Sequence, residues 1–299
     1  MSLAPRAVLV HRTTEYEELI ARHGTRGQAE FFLASRGRSI AEVAERHHRA
    51  VQALADVAAA VPLTWRRARV ERADLDRFLF GPEDVVVVVG QDGLVANTAK
   101  YLSGQPVAGI DTDPGRNPGV LVRHRPGDAG RLLRSAVSAS PAADALAMVE
   151  AVADDTQRLV ALNEIFLGPA GHQTARYRVG PDLDGADPEA QASSGILVGT
   201  GTGATGWLRS LWLERASTLA LPAPEERRLL WFVREAWPSP ATGTTRVSGA
   251  LSGAEGLRVT VECDRLVAFG DGMETDALTL TWGQSVRVGV CDTALHLLS

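Results

Sequence analysis

The sequence is almost without lysine. Among 299 residues Lys100 is the only one, and nearly all positive charge is arginine. A Walker-type phosphate loop needs lysine directly after its last glycine, and a protein kinase needs one on its third strand. Lys100 sits in neither context, so a phosphate-handling site here must use backbone N–H groups, arginines or a metal. An excess of basic charge is missing too: the net charge is -5 and the pI is about 5.8. That argues against a nucleic-acid partner, which requires a basic face to neutralise phosphates. Cysteine is scarce. Cys263 and Cys291 form no CxxC pair and have no His/Cys cluster beside them, which argues against zinc and fits reduced thiols in a cytosolic protein. No apolar run approaches the ~20 residues of a membrane span. No basic segment followed by an apolar core opens the chain, so the expectation is a cytoplasmic protein that uses no membrane.

What is present suits a large folded core: 45% hydrophobic and 22% charged residues. At ~150 residues per domain the length implies about two domains. Residues 7–10 read as a buried strand. Ser39 and Glu42 have capping-box spacing, and the helix they open is expected to run to about residue 60, before Pro62. A strand at 63–70 and a short helix at 74–79 follow. Residues 84–90 contain five consecutive valines, the mark of a central parallel strand covered on both faces. Strand and helix alternate through this half, which predicts a doubly wound α/β sheet. After a helix expected at 141–154, the chain reads as short strands separated by turns, with one helical interruption near 207–216. The expected strands are 161–167, 174–179, 195–200, 229–234, 257–263, 265–269, 277–281 and 285–291. Residues 182–192 read as a mobile surface connection. The fold class is therefore α/β plus β: a Rossmann-like domain over 1–155 and a mostly β domain over 156–299.

Three motifs carry chemistry. The valine strand ends in Gly90-Gln91-Asp92-Gly93 ahead of a helix at 94–102. Gly90 and Gly93 let the backbone approach a ligand, and the helix start suits phosphate. An acid in such a turn repels phosphate unless it binds a metal or takes a proton from an attacking hydroxyl. The plain alternative is a β-turn with Asp92 as a helix-entry residue. Asn163-Glu164 stands in an apolar strand, where both side chains need partners; they are either a recognition pair for ribose or adenine or a structural hydrogen-bond pair. Finally, a strand runs into Thr200-Gly201-Thr202-Gly203-Ala204-Thr205-Gly206-Trp207. Its glycines permit close approach and its threonines supply hydroxyls. Trp207 either stacks on a base or fills core.

These motifs, in this order, resemble the NAD kinase family, which has a Gly-Gly-Asp-Gly-Thr turn, an Asn-Glu pair and a Thr/Gly/Ser-rich loop. The mitochondrial-type branch is closer still, through Glu45-Arg46-His47-His48, Asp111-Thr112-Asp113-Pro114, the 161–164 segment, Ser193-Ser194-Gly195 and the 200–203 loop ahead of Trp207. The resemblance implies a Rossmann-like domain and a β-rich domain with the site in the cleft between them. It implies transfer of a phosphoryl from ATP, or in some members polyphosphate, to the 2′-hydroxyl of NAD with Mg2+, and a homodimer. By position, Asp92 would orient or deprotonate that hydroxyl, and Gly90, Gln91 and Gly93 would face phosphates. Asn163 and Glu164 would hold the acceptor's ribose and adenine region. Thr200, Thr202, Gly203 and Trp207 would border the adenine. Asp264 and Asp271 compete for an aspartate on a C-terminal hairpin. Gln91, Leu94 and Ala204 stand where the family has glycine, threonine and serine. Those departures keep two alternatives open: a related sugar, nucleoside or lipid kinase, and a nucleotide sensor without turnover.

Among other residues, Arg116 and Arg123 follow the 111–114 loop and either neutralise a transferring phosphate or are surface charge. Adjacent His47 and His48 point about 100° apart on a helix and cannot share a metal. Lys100 reads as a solvated end of the helix after Asp92.

Overall fold

The computed structural model describes residues 4–116, 119–183 and 185–299. The chain divides into two compact units, residues 1–144 with 296–299, and residues 145–295.

In the first unit, β1 (Arg6–His11), β2 (Arg66–Glu71), β3 (Asp84–Gly90), β4 (Pro106–Asp111) and β5 (Ala143–Leu146) alternate with helices α1 (Glu15–His23), α2 (Arg26–Ala34), α3 (Ile40–Ala60), α4 (Asp92–Ala99) and α5 (Ala129–Ala136). The sheet order is β2-β1-β3-β4, then the chain's last strand, then β5. The pairs of β1 with β2 and β3, and of β3 and the last strand with β4, are parallel. The valine strand β3 lies between β1 and β4. Val85, Val87 and Val89 pack with Val57 of α3 and Leu132 of α5, while Val86 and Val88 are buried on the opposite face. A strand covered on both sides has no use for polar alternation. Ser39 caps α3 by accepting the Ala41 N–H at 3.2 Å, and the reciprocal capping box sits on α1, between Thr14 and Glu17.

The second unit is all-antiparallel apart from α6 (Trp207–Glu214). Its strands are β6 (Val149–Ala153), β7 (Arg158–Ala161), β8 (Glu164–Gly168), β9 (Ala175–Pro181), β10 (Glu189–Ser193), β11 (Ile196–Gly199), β12 (Arg228–Val233), β13 (Ser248–Ser252), β14 (Gly256–Val261), β15 (Arg265–Gly270), β16 (Met273–Thr281) and β17 (Ser285–Val290). β18 (Leu295–Leu298) then returns to the first unit's sheet. The two sheets run β10-β9-β14-β17-β6-β7 and β13-β12-β11-β8-β15-β16. Their inward residues, among them Tyr177, Val259 and Val288 from one and Ile165, Trp231 and Leu280 from the other, form one core. The second sheet's other face packs Phe166, Leu197 and Phe232 against Leu208 and Leu211 of α6.

Several expectations are corrected. The segment expected as a helix at 141–154 holds two strands, so the units divide at 144/145 and not at 155. Its alanines favour helix, but Val149, Ala151 and Ala153 point inward on alternate positions, and β6 pairs with β17 along its length. Of residues 182–192, read as a mobile surface connection, 189–192 belong to β10, which pairs with β9 as an edge strand. Gln191 is buried there, within 3.3 Å of the Tyr177 hydroxyl. Strand β13 was not anticipated either, because Ser-Gly-Ala-Leu-Ser has no β-branched residue. Cys263 and Cys291 are free, the latter buried. Among the described residues no helix is long and apolar enough to cross a membrane.

One glycine shows how tightly the first sheet is covered. The segment 119–124 folds back along β4, and Asp111 N–H bonds the His124 carbonyl at 2.8 Å. A methyl group on Gly109 would stand 2.1 Å from the Leu121 carbonyl oxygen. Gly109→Ala should therefore destabilise the protein by at least about 2 kcal/mol in urea unfolding.

Candidate functional site

The first unit's site lies at the carboxyl ends of its parallel strands. From β1 the chain departs toward β2, and from β3 toward β4, so the order reverses between β1 and β3. Ligands in open α/β sheets bind at such a switch point. A cavity of about 550 Å³ opens there. Arg12 and Thr13 reach it from the end of β1, Gly90, Gln91 and Gly93 from the turn after β3, and Thr112 and Asp113 from the end of β4. Arg46, His47, Arg72 and Asn97 also line it. Arg46 donates to Glu15 at 3.0 Å, and Arg72 donates to the Asn97 side chain at 2.7 Å. The arginines are thus held in place, and Arg12 is only loosely tied, 3.9 Å from Glu18.

Asp92 is the first residue of α4. Its carboxylate turns onto the backbone of residues 120–122. Oδ1 accepts the Leu121 and Val122 N–H groups at 2.8 and 2.9 Å, and Oδ2 accepts Val120 N–H at 3.0 Å. A carboxylate has about four acceptor positions, so among the described residues Oδ2 retains one. The helix-entry reading and the chemical reading of Asp92 are therefore compatible. Leu94 is buried, with its Cδ2 3.0 Å from where a methyl on Gly90 would lie. A methyl group thus sits beside the turn where a threonine would place a hydroxyl.

The second unit holds a parallel arrangement. Asp271, in the turn after β15, has a left-handed backbone (φ 53°). Its Oδ1 accepts Asn163 N–H at 2.7 Å and Glu164 N–H at 3.4 Å, and its Oδ2 accepts Leu162 N–H at 2.8 Å. On the other side, the Thr200 hydroxyl donates to the Leu162 carbonyl at 2.6 Å and accepts Gly203 N–H at 3.2 Å. Thr200 N–H bonds the Asn163 carbonyl at 2.9 Å. The 162–164 segment is gripped by its N–H groups and its carbonyls at once.

Several sequence-derived site residues are thereby placed. Asp271 joins Asn163 and Glu164, whereas Asp264 lies exposed in the turn between β14 and β15. Thr200 is fully buried, and its hydroxyl donates to the Leu162 carbonyl while accepting Gly203 N–H within the loop. Gly203 is needed against protein: a methyl there would stand 2.3 Å from the Asn163 carbonyl oxygen. Trp207 joins the core around α6, stacked on Phe166 with ring centres 5.4 Å apart, and Arg234 lies 5.6 Å from its ring. Thr202 differs from Thr200. It is 2% exposed, and its hydroxyl has no hydrogen-bond partner among the described residues. Arg123 is paired with Asp144 and also donates to the Val120 carbonyl at 2.8 Å. Arg116 is exposed. His47 packs as a helix residue, 2.8 Å from the Thr14 hydroxyl and stacked on Tyr16. Lys100 caps the far end of α4 from the Asp92 turn.

The sequence reading did not single out Arg12 or Arg72, and it quoted Arg46 only within the 45–48 motif without a role. Arg12 carried a usable signal, since it directly follows a parallel strand at its carboxyl end. The other two come from elements that only the packing of α3 and the 72–77 turn brings to the cavity.

Burial and the neighbouring Asp271 carboxylate push the Glu164 carboxyl up to about 8. At neutral pH it is mainly protonated and offers a donor as well as an acceptor.

The fold so defined is that of the NAD kinases. A solved NAD kinase from Archaeoglobus fulgidus, in complex with ATP, is similar over 98% of this chain and 93% of its own, with a TM-score of 0.57 at 16% sequence identity. At that identity the likeness is one of fold. No protein-family model and no curated protein sequence matches the chain.

Two predictions follow from the second unit. Glu164 has a folded-state value above its unfolded one, so the folded state holds the extra proton between pH 4.5 and about 8. Stability should fall as pH rises through that window, by at most about 1.4 kcal/mol per pH unit, and Glu164→Gln should flatten the slope in urea melts. Thr202→Val keeps the shape and removes an unpaired hydroxyl, so unfolding of the ligand-free protein should be unchanged or shifted upward.

Proposed function

We propose that the chain is an NAD kinase, transferring the terminal phosphoryl of ATP, or of polyphosphate, to the ribose 2′-hydroxyl of NAD to make NADP. The observation that carries this reading is the turn 90–93 at the switch point: its Gly90, Gln91 and Gly93 line a cavity bordered by arginines, and its acid, Asp92, stands between them in sequence with its carboxylate on the 120–122 backbone. Arg12, Arg46 and Arg72 supply there the positive charge that lysine supplies in other phosphate sites, and guanidinium forks match phosphate oxygens. Asp92 is fixed by its bonds to 120–122, and its remaining Oδ2 position accepts the proton of the 2′-hydroxyl. The hydroxyl oxygen then bonds the terminal phosphorus while the bond from that phosphorus to the leaving phosphate breaks. Near-complete positioning is what phosphoryl transfer asks of a protein.

In the second unit, Asn163 and neutral Glu164 offer both donors and acceptors to the acceptor nucleotide's hydroxyl and base edges. The buried Thr202 hydroxyl awaits a polar partner of that kind. Among the described residues no three His, Cys, Asp or Glu side chains gather into a metal cage. Mg2+ keeps mostly water and phosphate oxygens around it, so the residues fit a cation carried in on ATP; Asp113, on the cavity wall and paired with Arg49 at 2.9 Å, would help to hold it, and the ion would neutralise phosphate charge. The motifs at 45–48 and 111–114 support the mitochondrial-type branch, and the reading includes a cytoplasmic homodimer.

A nucleotide sensor is the second reading, favoured by Leu94 at the position of the family's threonine. Coupled detection of NADP from NAD and MgATP separates the two. The kinase reading expects NADP from the wild type and none from Asp92→Asn, with NAD binding retained. Asn would turn an N–H toward a backbone N–H, so the variant should also lose about 1–3 kcal/mol of stability and is assayed below its own melting transition. Wild-type ATP binding without NADP would replace the kinase with the sensor.

A further inference from the structure

The second unit holds another cavity, lined by none of the residues given a role in the proposed reaction. It lies at one corner of the sandwich, where β9 and β14 of one sheet meet β12 and β13 of the other, and its volume is about 610 Å³. That is within the ~300–1,000 Å³ of small-molecule sites. The space exists because a glycine faces a tryptophan. Gly249 pairs with Trp231 across β12 and β13, and a methyl group there would stand 2.7 Å from the indole Nε1. The glycine leaves that edge of the indole without a side chain over it. Val179, Leu251 and Leu257 continue the apolar wall.

The charges at the rim are unequal in their partners. Asp182 is neutralised by Arg258 at 2.5 Å and Arg287 at 2.8 Å. Glu255 accepts Ser252 N–H at 2.7 Å. The Glu189 carboxylate is held by the Thr245 and Arg246 N–H groups, the Thr245 hydroxyl and the Gln191 amide. Arg246 is bound through its main chain, donating to Glu189 and accepting from Gln191. Its half-buried guanidinium makes no hydrogen bond or ion pair among the described residues, and it faces the cavity.

We propose that this corner cavity binds a small arylcarboxylate. Its flat apolar body rests against Trp231 and the aliphatic wall, and its carboxylate pairs with Arg246. Guanidinium and carboxylate match in a two-point fork, which strengthens beside an apolar wall where water is excluded. Offset stacking on the indole favours a planar ring over a branched chain.

The test titrates the full-length protein with 2-naphthoate and, separately, with its neutral counterpart 2-naphthamide. Indole N–H resonances and calorimetry are followed. Naphthoate should shift the Trp231 resonance, identified by its loss in Trp231→Phe. Arg246→Gln should weaken naphthoate roughly tenfold or more and change naphthamide less than about twofold, with partial recovery in Arg246→Lys. Arg246 sits at the rim, so these variants keep their thermal melts, and the charge comparison stands even where Trp231→Phe fails to fold. Three results would overturn the proposal: no naphthoate binding at millimolar concentration, equal naphthoate affinity in Arg246→Gln, or shifts confined to other tryptophans. A naphthoate-independent dimer that dissociates in Arg246→Glu would also overturn it, by showing a second copy of the chain on this face.

Discussion

One interaction recurs in both units: an aspartate carboxylate gripping three consecutive backbone N–H groups from a distant segment. Asp92 holds 120–122 and Asp271 holds 162–164, both through Oδ1 and Oδ2 together. Consecutive N–H groups pointing the same way form an anion-binding concavity, and charge-assisted bonds are about twice as strong as neutral ones. In each unit, the loop so gripped is then locked from its other side. The 120–122 segment lies against Gly109 of β4, and 162–164 lies against Thr200 and Gly203. The acids set the backbone geometry on which any ligand contact must be built.

Much of the architecture could be read from residues. Five valines announced a doubly covered parallel strand, and the turn-punctuated second half announced antiparallel sheets. The failures share a cause. Ala143–Leu146, Glu189–Ser193 and Ser248–Ser252 lack β-branched residues, Val149–Ala153 carries its two valines among helix-favouring residues, and pairing with neighbouring strands decides their state. The Asp92 turn was legible because its glycines and acid are adjacent in sequence. Its three N–H partners were not, since they lie 28 to 30 residues away. In the 200–207 loop, sequence pattern pointed to hydroxyls and open backbone. It could not tell Thr200, whose hydroxyl bonds the Leu162 carbonyl, from Thr202, whose buried hydroxyl has no partner among the described residues.

The near absence of lysine takes on a positive meaning at the switch-point cavity. Arg46 and Arg72 are each tied to a neighbouring side chain before any ligand arrives. A lysine at such a place carries a point charge on a flexible stem, whereas a guanidinium can bond a protein acceptor with one edge and still present another. Less side-chain freedom is then lost on binding.

β18 has a consequence for how the molecule comes into being. It lies between β4 and β5 in the first sheet, and His124 bonds the Leu298 carbonyl at 3.0 Å. The first unit is thus discontinuous in sequence, its sheet order requiring residues that follow all of β6–β17. During synthesis from the amino end, the half made first is the half finished last. Until then β4 has one unpaired edge and β5 has no neighbour in its sheet. Exposed strand edges of that kind recruit other chains, so the nascent protein stays open to misassembly until Leu295–Leu298 have been made and paired.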